Sequence, residues 1–171
     1  MPHSRIILNN IQMEWKSEPI KYLGIQLDSK LNFREHIKEK IETANNRLRQ
    51  LYPPLNRKSR LRVKIGKLLY TSLIRPIITY GIPIWIGTSD SNFHKLETFQ
   101  SKTLRIISRS PWFVRNIQIR RDINIESLKM HSLNLCKKNH LRLERNANLK
   151  YIINPTINRR LRPRLFQDIQ V

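Results

Sequence analysis

Short apolar runs fill the first 27 residues of the chain. They cover residues 6–8, 11–15 and 20–27, with apolar side chains at adjacent or alternate positions and polar residues between the runs. Runs of this length and spacing are typical of β-strands bounded by turns. We therefore predict a short three-stranded antiparallel meander, which is too small to be stable without packing against the segment that follows.

The apolar spacing becomes helical after residue 31. Asn32 and Glu35 have the spacing of a capping box at a helix start, and Pro53 with Pro54 is predicted to end this helix. Between these two ends, apolar residues recur at intervals of four, three, four and three, which is the spacing of one face of an amphipathic helix. That face consists of Ile37, Ile41, Ala44, Leu48 and Leu51.

Three more helices are predicted over residues 59–75, 90–109 and 126–145, with a short turn near residues 116–122. The inner face of the second helix is predicted to hold Leu61, Ile65, Leu68, Leu69, Ser72 and Leu73. The segment 76–86 is the most apolar stretch of the chain, and we expect it in the core. Trp85, inside this segment, is favoured as a core residue, whereas Trp112 fits a core position and an exposed stacking position equally well.

These elements predict an α+β fold that is mostly α, with a short N-terminal antiparallel β-meander followed by a bundle of four or five helices. We divide the chain into four units. Residues 1–31 hold the meander, 32–109 the helical bundle, 110–153 a helical extension and 154–171 a basic tail that is expected to order only on binding.

Charge is the feature that points to a partner. The chain has 171 residues, with 33 Lys and Arg against 12 Asp and Glu, which gives a formal net charge of +21. A small domain usually has a net charge of magnitude about 2–8, and a larger excess repels itself unless a polyanion lies alongside. The basic residues are spread over both halves of the chain, so we expect a long contact surface for nucleic acid.

The composition also argues against several classes of protein. No apolar stretch is long enough for a membrane span, and the N-terminus lacks the pattern of a signal peptide. The single cysteine, Cys136, has no partner for an internal disulfide, which fits a reducing compartment. We expect a nuclear or cytoplasmic protein that is not secreted and does not bind a membrane.

A search for catalytic groups finds none. Nucleotidyl transfer by two metal ions needs converging carboxylates, but the aspartates are scattered at Asp28, Asp90, Asp122 and Asp168. His131, Cys136 and His140 lack the fourth ligand of a zinc site. We therefore expect no catalytic residue, no metal site and no cofactor in this chain.

Four ordered blocks resemble one family, the jockey-like non-LTR retrotransposon reverse transcriptases. The blocks are KYLGIQLD at Lys21–Asp28 followed by Leu31 and His36-Ile37, RPIITYGIPIW at Arg75–Trp85, FQSKTLR at Phe99–Arg105, and PWFV at Pro111–Val114 followed by Arg121–Ile123. The resemblance runs from about residue 20 to residue 165. It is to the stretch after the catalytic motif, where the palm ends and the thumb begins.

The resemblance implies a definite function for the parent enzyme and a limited one for this chain. The family is an RNA-directed DNA polymerase, and its catalytic Ala-Asp-Asp motif would lie upstream of residue 1. This chain would then hold the last palm strands, the thumb and a C-terminal extension. RNA and an RNA–DNA hybrid are the implied partners, the upstream part of the polymerase is another, and magnesium is implied only for the intact enzyme.

The resemblance and the basic residues together give the candidate nucleic-acid contacts. Gly24 and the turn around it are implied to approach the primer end, although a glycine tolerated in an edge strand explains that position equally well. The other contacts are expected to be with phosphates and indifferent to sequence. The full set is Tyr22, Gly24, Arg34, Lys38, Arg49, Arg57, Lys58, Arg60, Arg62, Lys102, Arg105, Arg109, Arg159, Arg160 and Arg162. Two alternatives remain: a retrotransposon-derived protein–protein interaction or structural module, and part of an active polymerase completed in trans.

Overall fold

The computed structural model describes the backbone of residues 6–8 and 11–13, and residues 18–56, 59 and 61–145. Within them the strands are β1 (Ile6–Leu8), β2 (Ile11–Met13), β3 (Ile20–Tyr22) and β4 (Ile25–Leu27). The helices are α1 (Arg34–Leu55), α2 (Val63–Leu69), a π-helical segment (Tyr70–Ile74), α3 (Arg75–Ile78), α4 (Ile82–Trp85), α5 (Asp90–Ser108), α6 (Asn116–Ile123) and α7 (Leu128–Arg145). The predicted fold class, α+β and mostly α, is confirmed.

The strands form two antiparallel hairpins, β1–β2 and β3–β4. The single strand predicted over residues 20–27 is wrong, because the chain reverses at Leu23 and Gly24, whose φ angles are 46° and 75°. Two consecutive positive φ angles make the tight hairpin turn whose twist matches the flanking strands. The Tyr80 hydroxyl donates a hydrogen bond to the Leu23 carbonyl at 2.8 Å, which ties the turn to the helical part.

Helix α1 has the predicted apolar face but different ends. Ile37, Ala44 and Leu48 are buried. At the start, the Asp28 carboxylate accepts hydrogen bonds from the backbone N–H groups of Asn32 and Phe33 at 2.9 and 2.8 Å. The predicted capping box is therefore wrong, because Asp28 binds the N–H groups that precede the helix and Phe33 is the N-cap residue.

Pro53 and Pro54, which were predicted to end α1, lie inside its last turn. A proline removes a hydrogen bond to the carbonyl four residues earlier. Those carbonyls belong to Arg49 and Gln50, which are exposed, so water can satisfy them. The helix therefore continues through the prolines to Leu55.

Residues 63–78 form one continuous helical segment that passes through Pro76. The prediction that the second helix stops before Pro76 is wrong. A proline ring in a regular α-helix clashes with the carbonyl four residues back. The π-helical turn at Tyr70–Ile74 widens the backbone directly before Pro76, which is how a helix accommodates such a ring.

The buried face of the helical segment 63–78 is rotated from the one predicted for the second helix. Ile65, Leu68 and Leu73 were expected inside, but they are 44%, 61% and 42% exposed. The buried positions are Gly66, Tyr70, Ile74 and Ile78. A Cβ at position 66 would lie 2.8 Å from Ile107 of α5, so the glycine lets the two helices approach closely. The prediction chose the inner face from its large apolar residues, and so it did not include a contact made through a glycine.

The apolar segment 76–86 was predicted in the core and lies there in part, because Ile78, Ile82, Trp85 and Ile86 are buried but Tyr80 and Ile84 are 48% and 58% exposed. The core position of Trp85 is confirmed, and its indole N–H donates to the Tyr80 carbonyl at 2.7 Å. Helix α5 starts beside α1, because the Asn32 carbonyl accepts hydrogen bonds from Thr88 and Asn92 at 2.9 and 3.4 Å. The predicted turn near residues 116–122 is the helix α6.

Candidate nucleic-acid interface

A groove of about 470 Å³ runs between α1 and α5. We call it the α1–α5 groove. Its walls come from two helical rows, Arg34, Glu35, Lys38, Ile41 and Asn45 on α1, and His94, Lys95, Thr98, Phe99 and Lys102 on α5. Side chains three or four residues apart share one face of a helix, so each helix presents a continuous row to the groove.

Positive charge dominates the groove. Arg34 and Lys38 come from α1, and Lys95 and Lys102 from α5. The one carboxylate in the lining is Glu35, whose oxygen lies 3.9 Å from the Lys38 ammonium in an exposed pair. An exposed pair of this kind is weak. Four cations against one anion give the groove lining a net positive charge, and such a charge attracts polyanions.

The two helices begin side by side. The hydrogen bonds from Thr88 and Asn92 to the Asn32 carbonyl place the start of α5 beside the start of α1. Both N-termini therefore lie at the same end of the groove. The partial positive charge of these N-termini is already met within the protein, by the Asp28 carboxylate before α1 and by Glu35 and Asp90 in the first turns of α1 and α5.

The sequence placed three of these residues in the candidate interface: Arg34, Lys38 and Lys102. It missed Lys95, and also the polar residues Asn45 and Thr98. The signal was present in the helical spacing, since His94, Thr98 and Lys102 recur every four residues along α5. Arg49 follows Asn45 by four residues on α1, so it continues the α1 row beyond the groove lining; it donates to Asn46 at 3.3 Å.

Arg105 and Arg109 continue the row of Lys102 along α5, but they bind the protein itself. The Arg105 guanidinium donates to the carbonyls of Pro111 and Val114 and to the Asn116 side chain, the last two at 2.8 Å. Arg109 donates to the carbonyls of Ser59 and Leu61. These bonds hold two loops in place, a structural role that the sequence did not reveal.

The β3–β4 hairpin carries two more of the candidates. Tyr22 is 64% exposed. Gly24 lies in the turn, where a Cβ would be 3.4 Å from the Tyr80 ring. Its positive φ, rather than tolerance in an edge strand, is the local reason for a glycine.

The hairpin is fixed to α1 through Glu39. Its carboxylate accepts hydrogen bonds from Lys21 at 2.8 Å and from Gln26 at 2.6 Å. The Lys21 hydrogen bond is the main reason that the pKa of Glu39 lies below its usual value. Lys40 of α1 also lies 4.9 Å from the centre of the Tyr80 ring, so hairpin, helix and the α3–α4 connection form one cluster.

The remaining predicted nucleic-acid contacts lie away from the groove or outside the described residues. Arg62 is the exposed N-cap residue of α2. Arg57, Lys58, Arg60, Arg159, Arg160 and Arg162 lie outside the described residues. Trp112, for which the sequence left two alternatives, is 87% exposed.

The described part of the chain contains no group of three or more His, Cys, Asp or Glu side chains that could hold a metal ion. His131 instead bonds to the Glu126 carboxylate at 2.7 Å. Cys136 is buried, and burial raises the pKa of its thiol to about 11. No helix among the described residues has the length and apolar character needed to cross a membrane.

Comparison with known proteins gives several relatives. The chain is 35% identical over 109 residues to the probable RNA-directed DNA polymerase from transposon BS of Drosophila melanogaster, a match that covers 64% of this chain and 12% of that protein. It is 35% identical over 131 residues to the RNA-directed DNA polymerase from mobile element jockey of the same species, covering 75% of this chain and 14% of that protein. The probable RNA-directed DNA polymerase from transposon X-element is 30% identical over 132 residues, with 75% and 14% covered.

The chain thus spans about 12–14% of the length of the curated relatives that it matches. No protein-family model matches it, and no solved structure does. The resemblance to a C-terminal part of jockey-like non-LTR retrotransposon reverse transcriptases is confirmed.

Proposed function

Since this chain is similar to a C-terminal part of jockey-like retrotransposon RNA-directed DNA polymerases, we propose that it is a module that binds RNA and RNA–DNA duplexes without catalysing a reaction. The α1–α5 groove would hold the sugar–phosphate backbone. Arg34, Lys38, Lys95 and Lys102 would neutralise phosphates, and the Asn45 amide would donate a hydrogen bond to a phosphate oxygen, whereas the Thr98 hydroxyl donates to the His94 carbonyl at 2.9 Å. Such contacts position a strand without reading its sequence.

The observation that carries the proposal is the charge of the groove, four cations and one weakly paired carboxylate on two parallel rows. Arg105 and Arg109 are left out of the phosphate-binding set, because their guanidinium groups bind backbone carbonyls. Arg49 remains in it, since it is exposed and extends the α1 row.

Binding in this proposal needs no metal ion. Magnesium would belong to the intact polymerase, whose catalytic carboxylates would lie in the upstream portion. The chain alone should therefore give no product in a primer-extension reaction with magnesium and nucleotides, and a chelator should leave its affinity for RNA unchanged. A nuclear or cytoplasmic location, where RNA is present, agrees with this function.

The test is a charge-neutralising pair in the groove, Lys38→Gln with Lys102→Gln. Its control is Lys129→Gln with Lys137→Gln, two exposed lysines on α7 that do not line the groove. Filter binding to an RNA–DNA duplex is measured over a range of salt concentrations. The groove pair should reduce the slope of log affinity against log salt by about two, because each lysine that is removed leaves one phosphate without its neutralising cation.

Equal effects of the two pairs would contradict the proposal, because they would show that binding depends on total charge and not on this groove. Circular dichroism of all variants checks that the fold is intact. Weak binding of the unaltered chain with no salt dependence would also contradict it.

The alternative function, an interaction module, is supported by exposed apolar side chains on the continuous helical segment 63–78. Ile65, Leu68 and Leu73 are 44%, 61% and 42% exposed, and apolar side chains grouped on one element favour a protein contact. The upstream part of the polymerase is one partner for these side chains. Sedimentation velocity separates the two functions, since a stable oligomer that RNA does not change would favour the interaction module.

A further inference from the structure

Two aromatic side chains project from the loop between α5 and α6. Trp112 is 87% exposed and Phe113 is 68% exposed. Their ring centres lie 6.0 Å apart with the planes at 83°, an edge-to-face arrangement. Exposed aromatic rings are costly to leave in water, so a rigidly presented pair calls for a specific contact.

The loop is held in a fixed conformation. The Val114 N–H donates to the Pro111 carbonyl at 3.3 Å, which closes a turn with the two aromatic residues at its tip. Arg105 of α5 donates to the carbonyls on both sides of the pair, those of Pro111 and Val114. The tip is therefore preorganised, which reduces the entropy lost on binding.

The loop lies next to the α1–α5 groove along helix α5. Lys102, in the groove lining, and Arg105, which holds the loop, are three residues apart on α5 and therefore neighbours on its surface. The aromatic tip thus follows the groove along the helix, on the side of the C-terminus of α5. A strand whose phosphates lie along Lys102 would reach the tip next.

The charge around the tip indicates what occupies it. Residues 98–121 contain six Lys and Arg and no Asp or Glu. Arg115, directly after the turn, is exposed. This field attracts a polyanion, and a nucleic acid is the polyanion that also carries flat rings to stack on an indole.

We propose that Trp112 and Phe113 are a stacking platform for unpaired bases of a single-stranded nucleic acid that leaves the α1–α5 groove. The inference rests on the proposed function, because it requires a strand in that groove. The perpendicular rings offer separate faces, so each would stack with one base. Stacking of this kind tolerates any sequence, since every base has a π face.

The test compares two strands of equal length and charge, a short unstructured RNA and an abasic oligonucleotide. Trp112→Leu keeps an apolar side chain but removes the ring, Trp112→Phe keeps a ring, and Ile117→Ala is the control at a nearby apolar residue that is 55% exposed. Trp112→Leu should weaken RNA binding by about 10-fold or more, in line with the loss of one stacked base. Trp112→Phe should weaken it less, and neither change should affect the abasic strand.

The outcomes separate this inference from the function on which it rests. If the unaltered chain binds neither strand at low salt, both are wrong. If it binds the two strands equally, or if Trp112→Leu weakens both equally, the groove remains and the platform is wrong. If the unaltered chain self-associates and Trp112→Leu abolishes that association without changing RNA affinity, the pair is a protein contact instead.

Discussion

Single residues with positive φ angles determine where this chain turns. Leu23, Phe33, Arg109 and Asn124 adopt such angles although they are not glycines, and each lies at the end of an element. The conformation strains any residue with a Cβ except asparagine and aspartate, which tolerate it better. The sequence therefore gives only a weak signal for this turn, because Gly24 permits it but Leu23 and the apolar residues on either side favour the single strand predicted over residues 20–27.

The turn at Leu23-Gly24 gives a pair of opposite predictions. Gly24→Ala should lower the free energy of unfolding by about 1 kcal/mol, because alanine is strained at a φ of 75°. Leu23→Asn should leave it unchanged or raise it by up to about 1 kcal/mol, because asparagine tolerates a φ of 46° and the leucine side chain is 73% exposed. Urea unfolding measures both. Destabilisation of equal size by the two changes would contradict this explanation of the turn.

At the scale of elements, the sequence predicts helices well where one face alone is apolar. The α1 face from Ile37 to Leu51 follows directly from spacing. The α2 face does not, because leucine and isoleucine occur all round that helix and the buried side is selected by the close approach of Gly66 to Ile107. Pro76 shows that helix ends are also hard to predict. A proline is expected to stop a helix, but the π-helical turn before Pro76 lets this helix continue.

The attachment of the β3–β4 hairpin to α1 is testable as a local event. Glu39→Ala removes the acceptor of the Lys21 and Gln26 hydrogen bonds. Hydrogen exchange of the amides of residues 20–27 should become faster, because the hairpin loses its polar contacts with α1, while exchange in α5 should stay the same. Glu42→Ala, an exposed glutamate on the same helix, is the control. Uniform acceleration across the chain would mean that Glu39 contributes to global stability instead.

At the scale of the whole molecule, charge predicts the kind of partner but not the surface that meets it. The net charge of +21 points to nucleic acid. Lys102 and Arg105 are both cations and lie three residues apart on α5, yet their surroundings differ. Lys102 lines the groove and Arg105 binds loop carbonyls. Which of two neighbouring cations is bonded internally depends on where a loop returns to its helix, and local spacing contains no information on that.

His36 is buried where the hairpin, α1 and α4 meet. We therefore expect the stability of the fold to depend on pH. Its Nδ1 accepts a hydrogen bond from the Gln26 N–H at 3.4 Å, and its ring centre lies 6.0 Å from that of Trp85. Burial, with a smaller contribution from nearby Lys40, lowers the pKa of His36 below its ordinary value of 6.5. Below pH 6.5 the unfolded chain therefore binds more protons at this position than the folded chain does.

The free energy of unfolding should thus fall as the pH drops below 6.5, and this loss should stop once the pH is below the folded pKa of His36. Urea unfolding at about pH 7.5 and about pH 5 measures the change, and His36→Gln should reduce it. His94→Gln is the control, because His94 is exposed in the α1–α5 groove. The comparison is made between variants because the chain holds other histidines, among them His131, which bonds to the Glu126 carboxylate at 2.7 Å. If His36→Gln leaves the difference between the two pH values unchanged, the acid sensitivity of the fold has another origin.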